Sequence, residues 1–207
     1  METPDTLVDG PAAGGPRIVL AHGAGAPMDS PFLEAVARGL GAAGLRVMRF
    51  EFPYMCRRRA GGGRRPPDPA AVLRRSWLDT VERLGGGAGL VIGGKSLGGR
   101  IASMVADEVG ARGLVCLGYP FHPPGRPERL RTAHLAALRT PTLIVQGSRD
   151  ALGTREEIAA YELSPSIRVV YLEDGDHSFR PRARSGRTAE QNLNQAVEAV
   201  GRFVSGL

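Results

Sequence analysis

A chain of 207 residues, 42% of them apolar, is long enough and hydrophobic enough to build one globular domain with a sizeable core. Its net charge of +6 is almost wholly arginine, Lys95 being the only lysine; the clusters at 57–59, 64–65 and 180–187 lie in proline- and glycine-rich stretches without interleaved aromatics, which argues against a nucleic-acid surface. Cys56 and Cys116 are too few for a disulfide frame, and no stretch approaches a transmembrane helix, so a reduced, cytoplasmic protein without a membrane partner is expected.

Residues 1–15 are acidic, carry proline and glycine, and lack the apolar run of a signal peptide; a flexible N-terminus is expected there, with 16–207 forming a single domain. Beyond it, apolar runs alternate with amphipathic segments. Strands are predicted over 17–21, 46–50, 90–93, 113–117, 142–147 and 168–172. Helices are predicted over 31–43 behind Ser30, 69–84 behind Asp68, 101–109, 128–138 and 155–163. A last helix starts at Thr188, where Gln191 completes a capping box ahead of a Leu193, Val197, Val200 and Val204 face. Trp77, at helical spacing with Leu73 and Val81, reads as core. The alternation means an α/β fold: about six mostly parallel strands with helices on both faces.

Chemistry gathers at the carboxyl ends of these strands. After the strand at 17–21 comes His22-Gly23-Ala24-Gly25, a turn of small residues whose backbone N–H groups can approach an oxyanion; Ala24 is the expected donor, with Gly25 the alternative. After the strand at 90–93 comes Gly94-Lys95-Ser96-Leu97-Gly98, the form of a nucleophile elbow. Gly94 and Gly98 are expected to crowd one another across the turn, Ser96 to sit at strained angles, and the Leu97 N–H to face an oxyanion. Gly89 to Ser96 also spell the phosphate-loop pattern G-x-x-x-x-G-K-S, with Asp174 as a stand-in for its magnesium-binding acid. Context favours the elbow, because the middle of the pattern, Leu90-Val91-Ile92, is strand material and a phosphate loop needs loop there.

A serine nucleophile needs a base and an acid to orient it. Asp150 follows the strand at 142–147, and His177 follows the strand at 168–172, so the order is serine, acid, histidine. Asp174 and Asp176 compete for the acid but lie too close to His177 in sequence, and read as turn formers around Gly175. His134 reads as a helix-face residue, and Lys95 as a packing residue or a hydrogen-bond donor to a neighbouring loop.

His22-Gly23, Gly94 to Gly98, Gly147-Ser-Arg-Asp150 and Gly175-Asp-His177 together resemble the α/β-hydrolase superfamily over nearly the whole chain. Longer strings, Arg49 to Met55, Gly94 to Arg100, Leu117 to Gly125 and Asp176 to Phe179, are similar to a small cap-less bacterial group related to a testis-expressed animal protein and distantly to dienelactone hydrolases. The dienelactone branch uses cysteine where this chain has Ser96, so that activity is not carried over. The resemblance implies a serine triad and a fold without a cap domain, since 118–141 has room for a loop and one helix only. His22, Phe52, Tyr54, Tyr119 and His122 are expected to line the pocket, with the arginine loop at 57–65 as part of its roof. The expected function is serine-dependent, carboxylesterase-like hydrolysis of a small-molecule acyl substrate, with no cofactor and no metal. The alternative is a non-catalytic binding scaffold.

Overall fold

The computed structural model describes residues 6–63 and 65–207. Arg64, one member of the arginine-rich stretch, lies outside them. The elements in chain order are β1 (Leu7–Asp9), β2 (Arg17–Ala21), α1 (Pro31–Ala42), β3 (Arg46–Phe50), α2 (Pro53–Arg59), α3 (Ala70–Arg83), β4 (Leu90–Lys95), α4 (Leu97–Ser103), β5 (Gly113–Leu117), β6 (Thr142–Gly147), α5 (Arg155–Ile158), β7 (Ile167–Leu172) and α6 (Ala189–Ser205). The strands join in the order β1-β3-β2-β4-β5-β6-β7. Only β1 is antiparallel, pairing Leu7 with Arg49 and Asp9 with Val47.

Strand alternation divides the core into two layers. Ile18 and Leu20 of β2 join Val91, Val115 and Val145 under α1 and α6, whose Leu33, Val36, Val200 and Val204 cover that face. Val19 and Ala21 point the other way, with Ile92, Leu114 and Ile144, toward α3 and α4, where Trp77 is fully buried against Phe50. Burial on both faces is why these strands read as continuous apolar runs. The chain leaves β2 for β3 on one side and β4 lies on the other, so the direction of winding reverses between β2 and β4. Such a reversal opens a crevice at the carboxyl ends of the strands. His22 and Ser96 follow the two strands between which the reversal occurs.

Several expectations change. The segment read as a flexible N-terminus carries β1, fixed by edge pairing and by the Arg49–Asp9 ion pair at 2.7 Å. The arginines at 57–59 lie on helix α2, started by Pro53, with their positive charge at its C-terminal end. The helix expected at 128–138 does not form. Its backbone bonds to buried residues outside the segment instead: Arg131 N–H donates to Phe121 O at 2.7 Å, and Tyr119 Oη donates to Arg131 O at 3.1 Å. His134 is therefore no helix-face residue. It meets Ser103 Oγ at 2.8 Å through Nε2. The elbow helix starts at Leu97 and loosens into turns after Ser103, and α5 ends at Ile158. The capping box at Thr188 and Gln191 forms as expected, whereas Ser30 caps α1 without a side-chain bond and Pro69, not Asp68, caps α3. No cap domain interrupts β5 and β6. Among the described residues, no helix is long and apolar enough to cross a membrane.

Candidate active site

β4 delivers Ser96 to the top of the sheet at φ 51° and ψ −112°, angles that cost a non-glycine residue of order 1–3 kcal/mol. Surrounding contacts enforce the turn: Ser96 N–H donates to Leu117 O at 3.0 Å, and Arg100 N–H to Ser96 O at 2.9 Å. The elbow glycines are needed for a reason different from the expected one. The atoms nearest to a side chain at either position belong to the end of β2. A Cβ on Gly94 would lie 2.1 Å from Ala21 O, and one on Gly98 2.3 Å from the same oxygen. The elbow is pressed against the end of β2, and side chains at either position would force it off.

Three loops meet above this turn. His177 Nε2 lies 2.9 Å from Ser96 Oγ, and His177 Nδ1 lies 2.7 Å from Asp150 Oδ2. Asp150 is fully buried. Its Oδ1 accepts from Leu152 N–H at 2.9 Å, and its Oδ2 accepts a second bond from Gln146 Nε2 at 2.9 Å. Gln146, on β6 and fully buried, also accepts from Tyr119 N–H at 2.7 Å and donates to Gly153 O. It ties the acid to the end of β5, a part the sequence reading missed. The signal was present: a glutamine inside an apolar strand must find buried partners.

The rival acids are spent elsewhere. Asp174 holds Arg182 in a two-pronged pair and Arg149 at 3.1 Å, and these arginines hold its carboxyl down to about 2. Asp176 accepts from Ser178 N–H and Arg180 N–H, closing the turn. The phosphate-loop reading also fails. Residues 90–95 form β4, laddered to β2 on one side and β5 on the other, so their amides cannot wrap an anion.

The His22–Gly25 turn lies over the elbow, with the Cβ position of Gly23 3.8 Å from Ser96 Cβ. Its carbonyls are turned into the protein: Tyr54 Oη donates to Gly23 O at 3.3 Å and to Ala24 O at 3.1 Å. In a trans peptide the N–H points opposite the C=O, so the Ala24 and Gly25 amides face away from Tyr54. His22 is locked in one tautomer. Its Nε2 accepts from Phe52 N–H at 3.1 Å, leaving Nδ1–H to donate to Gly23 O at 2.7 Å, and burial lowers its pKa and keeps it neutral. Leu97 opens α4, so its N–H is one of the helix's unpaired first-turn donors.

The expected pocket lining is therefore corrected. His22, Phe52, Tyr54 and Tyr119 are fully buried and His122 nearly so, and they brace the loops from behind. Their neighbours are other parts of the protein: His22 meets the edges of Phe52 and Tyr54, and His122 Nδ1 meets Pro123 O. The arginine segment is likewise tied down. Arg59 bonds both Glu51 and Asp29, Arg57 pairs with Asp68, and Arg58 lies over the Tyr54 ring. Among the described residues, no cluster of three or more His, Cys, Asp and Glu side chains gathers that could hold a metal ion.

Solved structures share this architecture. Est1E from Butyrivibrio proteoclasticus, solved with ferulic acid bound, matches with a TM-score of 0.71 at 13% identity, covering 97% of this chain and 95% of that one. Dienelactone hydrolase from Anabaena variabilis matches at 0.70 and 20% identity, covering 97% and 90%. An α/β serine hydrolase without lid from Xanthomonas campestris matches at 0.69 and 17% identity, covering 98% and 88%. Residues 14–205 match the family described as alpha/beta hydrolase domain, and the chain belongs to that family.

Proposed function

We propose that this protein hydrolyses an ester or related acyl bond of a small molecule through an acyl-enzyme on Ser96. The observation that carries the reading is the unbroken hydrogen-bonded line Ser96–His177–Asp150, assembled from three loops. Asp150, buried and bonded to Gln146 and Leu152, holds Nδ1–H of His177 and leaves Nε2 free to accept. Ser96 Oγ attacks the carbonyl carbon while its proton moves to Nε2. Negative charge develops on the carbonyl oxygen, and the Leu97 and Ala24 N–H groups, with Gly25 the alternative, are the donors offered to it. Collapse expels the alcohol, which takes the proton from His177. Water then repeats the sequence on the acyl-enzyme, with His177 again as base, and releases the acid.

The test is labelling by a fluorophosphonate, which traps an activated serine. The wild-type chain should label once, and Ser96→Ala should lose the label and at least about a thousandfold in ester turnover with its melting temperature kept. An equally labelled alanine variant would place the nucleophile elsewhere. A wild-type chain that binds acyl compounds but neither labels nor turns over would be a scaffold, and the proposal would fall.

A further inference from the structure

Lys95 stands beside the nucleophile, and the acyl-transfer chemistry above does not use it. It is the one lysine among the 27 basic residues of the chain. Everywhere else the positive charge is guanidinium, which stays protonated and carries a wide planar fork. At this position alone the chain has a compact, titratable amine.

Its surroundings are unlike those of the arginines. The stem runs under the His22–Gly25 turn, with Cγ 3.6 Å from the Cβ position of Gly23. Nζ is buried and makes no hydrogen bond among the described residues, although an ammonium has three donors to satisfy. It lies 5.6 Å from the centre of the Phe32 ring at the start of α1, a weak cation–π partner. On its other side is the loop that carries the base. A Cβ built on Gly118 would sit 3.0 Å from Lys95 Nζ, 2.9 Å from His177 O and 3.4 Å from His177 Nδ1. Nζ and Nδ1 are therefore no more than about 6.4 Å apart, by adding the two distances to that shared point. Gly118 itself, at φ 66°, leaves the gap open.

The charges around the ammonium are few. Asp150, on the loop after β6, and Asp176, on the loop after β7, are the carboxylates whose charge reaches it. The elements that close the remaining sides offer Phe32, Gly23 and Gly118, none of which titrates. Neither carboxylate bonds to Nζ. Asp150 spends its oxygens on His177, Gln146 and Leu152, and Asp176 accepts from its own turn. A charge held this close in a site of low polarity acts on the imidazole more strongly than it would in water.

We propose that Lys95 is a positioning residue for the Asp150–His177 pair, its buried ammonium opposing protonation of the imidazole so that Nε2 stays free to take the Ser96 proton in mildly acidic solution. The inference rests on the Ser96 reading. Burial pushes the Lys95 amine down to about 8, so the charge is present at neutral pH and fades above it. An arginine could not fade in this way.

The test is the pH profile of kcat/KM for the wild type, Lys95→Met and Lys95→Gln, with fluorophosphonate labelling run on each. Losing the ammonium should move the acid limb of both variants up by about one pH unit. The profiles should converge above the acid limb, where the imidazole is neutral with or without the ammonium. A variant that labels at Ser96 but keeps the wild-type acid limb overturns the Lys95 proposal and leaves the serine reading standing. A uniform drop at every pH, with a lowered melting temperature, shows packing alone and also overturns it. Should both variants fail to fold, the wild type decides, by NMR titration of the His177 ring from pH 5 to 10: a second inflection near pH 8 supports the coupling, and a single inflection refutes it. Absence of labelling in the wild type would instead remove the Ser96 reading.

Discussion

The loops after β6 and β7 each present acids near the histidine, yet they put them to opposite uses. In the β6 loop, Asp150 is sealed from solvent and receives only neutral donors besides His177. In the β7 loop, Asp174 is neutralised by Arg182 and Arg149, and Asp176 is consumed by the turn that presents His177. Proximity in sequence disqualifies an acid here. A residue within a turn bonds the turn's own backbone, whereas one from a separate strand can meet the imidazole end-on. Both loops are locked together by close backbone contact, since a Cβ on Gly147 would lie 2.3 Å from Asp176 O.

The sharpest way to break the comparison is Asp150→Asn. It should preserve the fold while lowering kcat by about three to four orders of magnitude, because an amide presents the wrong donor pattern to Nδ1; steady-state kinetics beside a thermal melt would read it. Gln146→Leu comes next. It strips one donor from Asp150 and leaves the Tyr119 N–H without its partner, so unfolding by denaturant should show a loss of about 1–3 kcal/mol, with kcat reduced as well. Unchanged stability would mean that the buried amide is not the tie it looks to be.

Asp174→Asn should act on stability and spare turnover. The arginines depress the folded-state pKa of Asp174 from an ordinary value near 4 to about 2. Stability from its charge is therefore present above about pH 4 and lost as pH falls toward about 2. Melting temperature against pH should fall less steeply through that window in the variant than in the wild type. Parallel curves would remove Asp174 from the account. The smallest effect is expected from Asp176→Asn, where the side-chain oxygen can still accept from Ser178 and Arg180. Activity at pH 7 should stay within about threefold and stability within about 0.5 kcal/mol. A crippling loss there, with Asp150→Asn mild, would exchange the roles of the two loops.

Much of this was legible in the chain. Four of the six expected strands have the expected bounds, because doubly buried strands are uninterrupted apolar runs closed by glycine or polar residues. The order Ser96, Asp150, His177 followed from which loop each residue enters. The helix at 128–138 and the arginine loop were misread for one reason. Periodicity and proline count describe a segment alone, while Tyr119, Phe121, Glu51 and Asp68 decide where its polar groups bond.

By itself, the sequence determined the alternation of strands and helices, the position of the elbow and the residue types at its three loop ends, all of which are local patterns along the chain. Tertiary structure alone decided the rest. Gly94 and Gly98 are glycine because β2 passes behind them, and the aromatic residues of the site are braces because their hydroxyls and ring nitrogens find backbone partners inside. Lys95 became more than a neighbour of the serine when Gly118 and the histidine loop closed over it. Contacts of this kind join residues far apart in the chain, and their distances and desolvation exist only once the strands have paired.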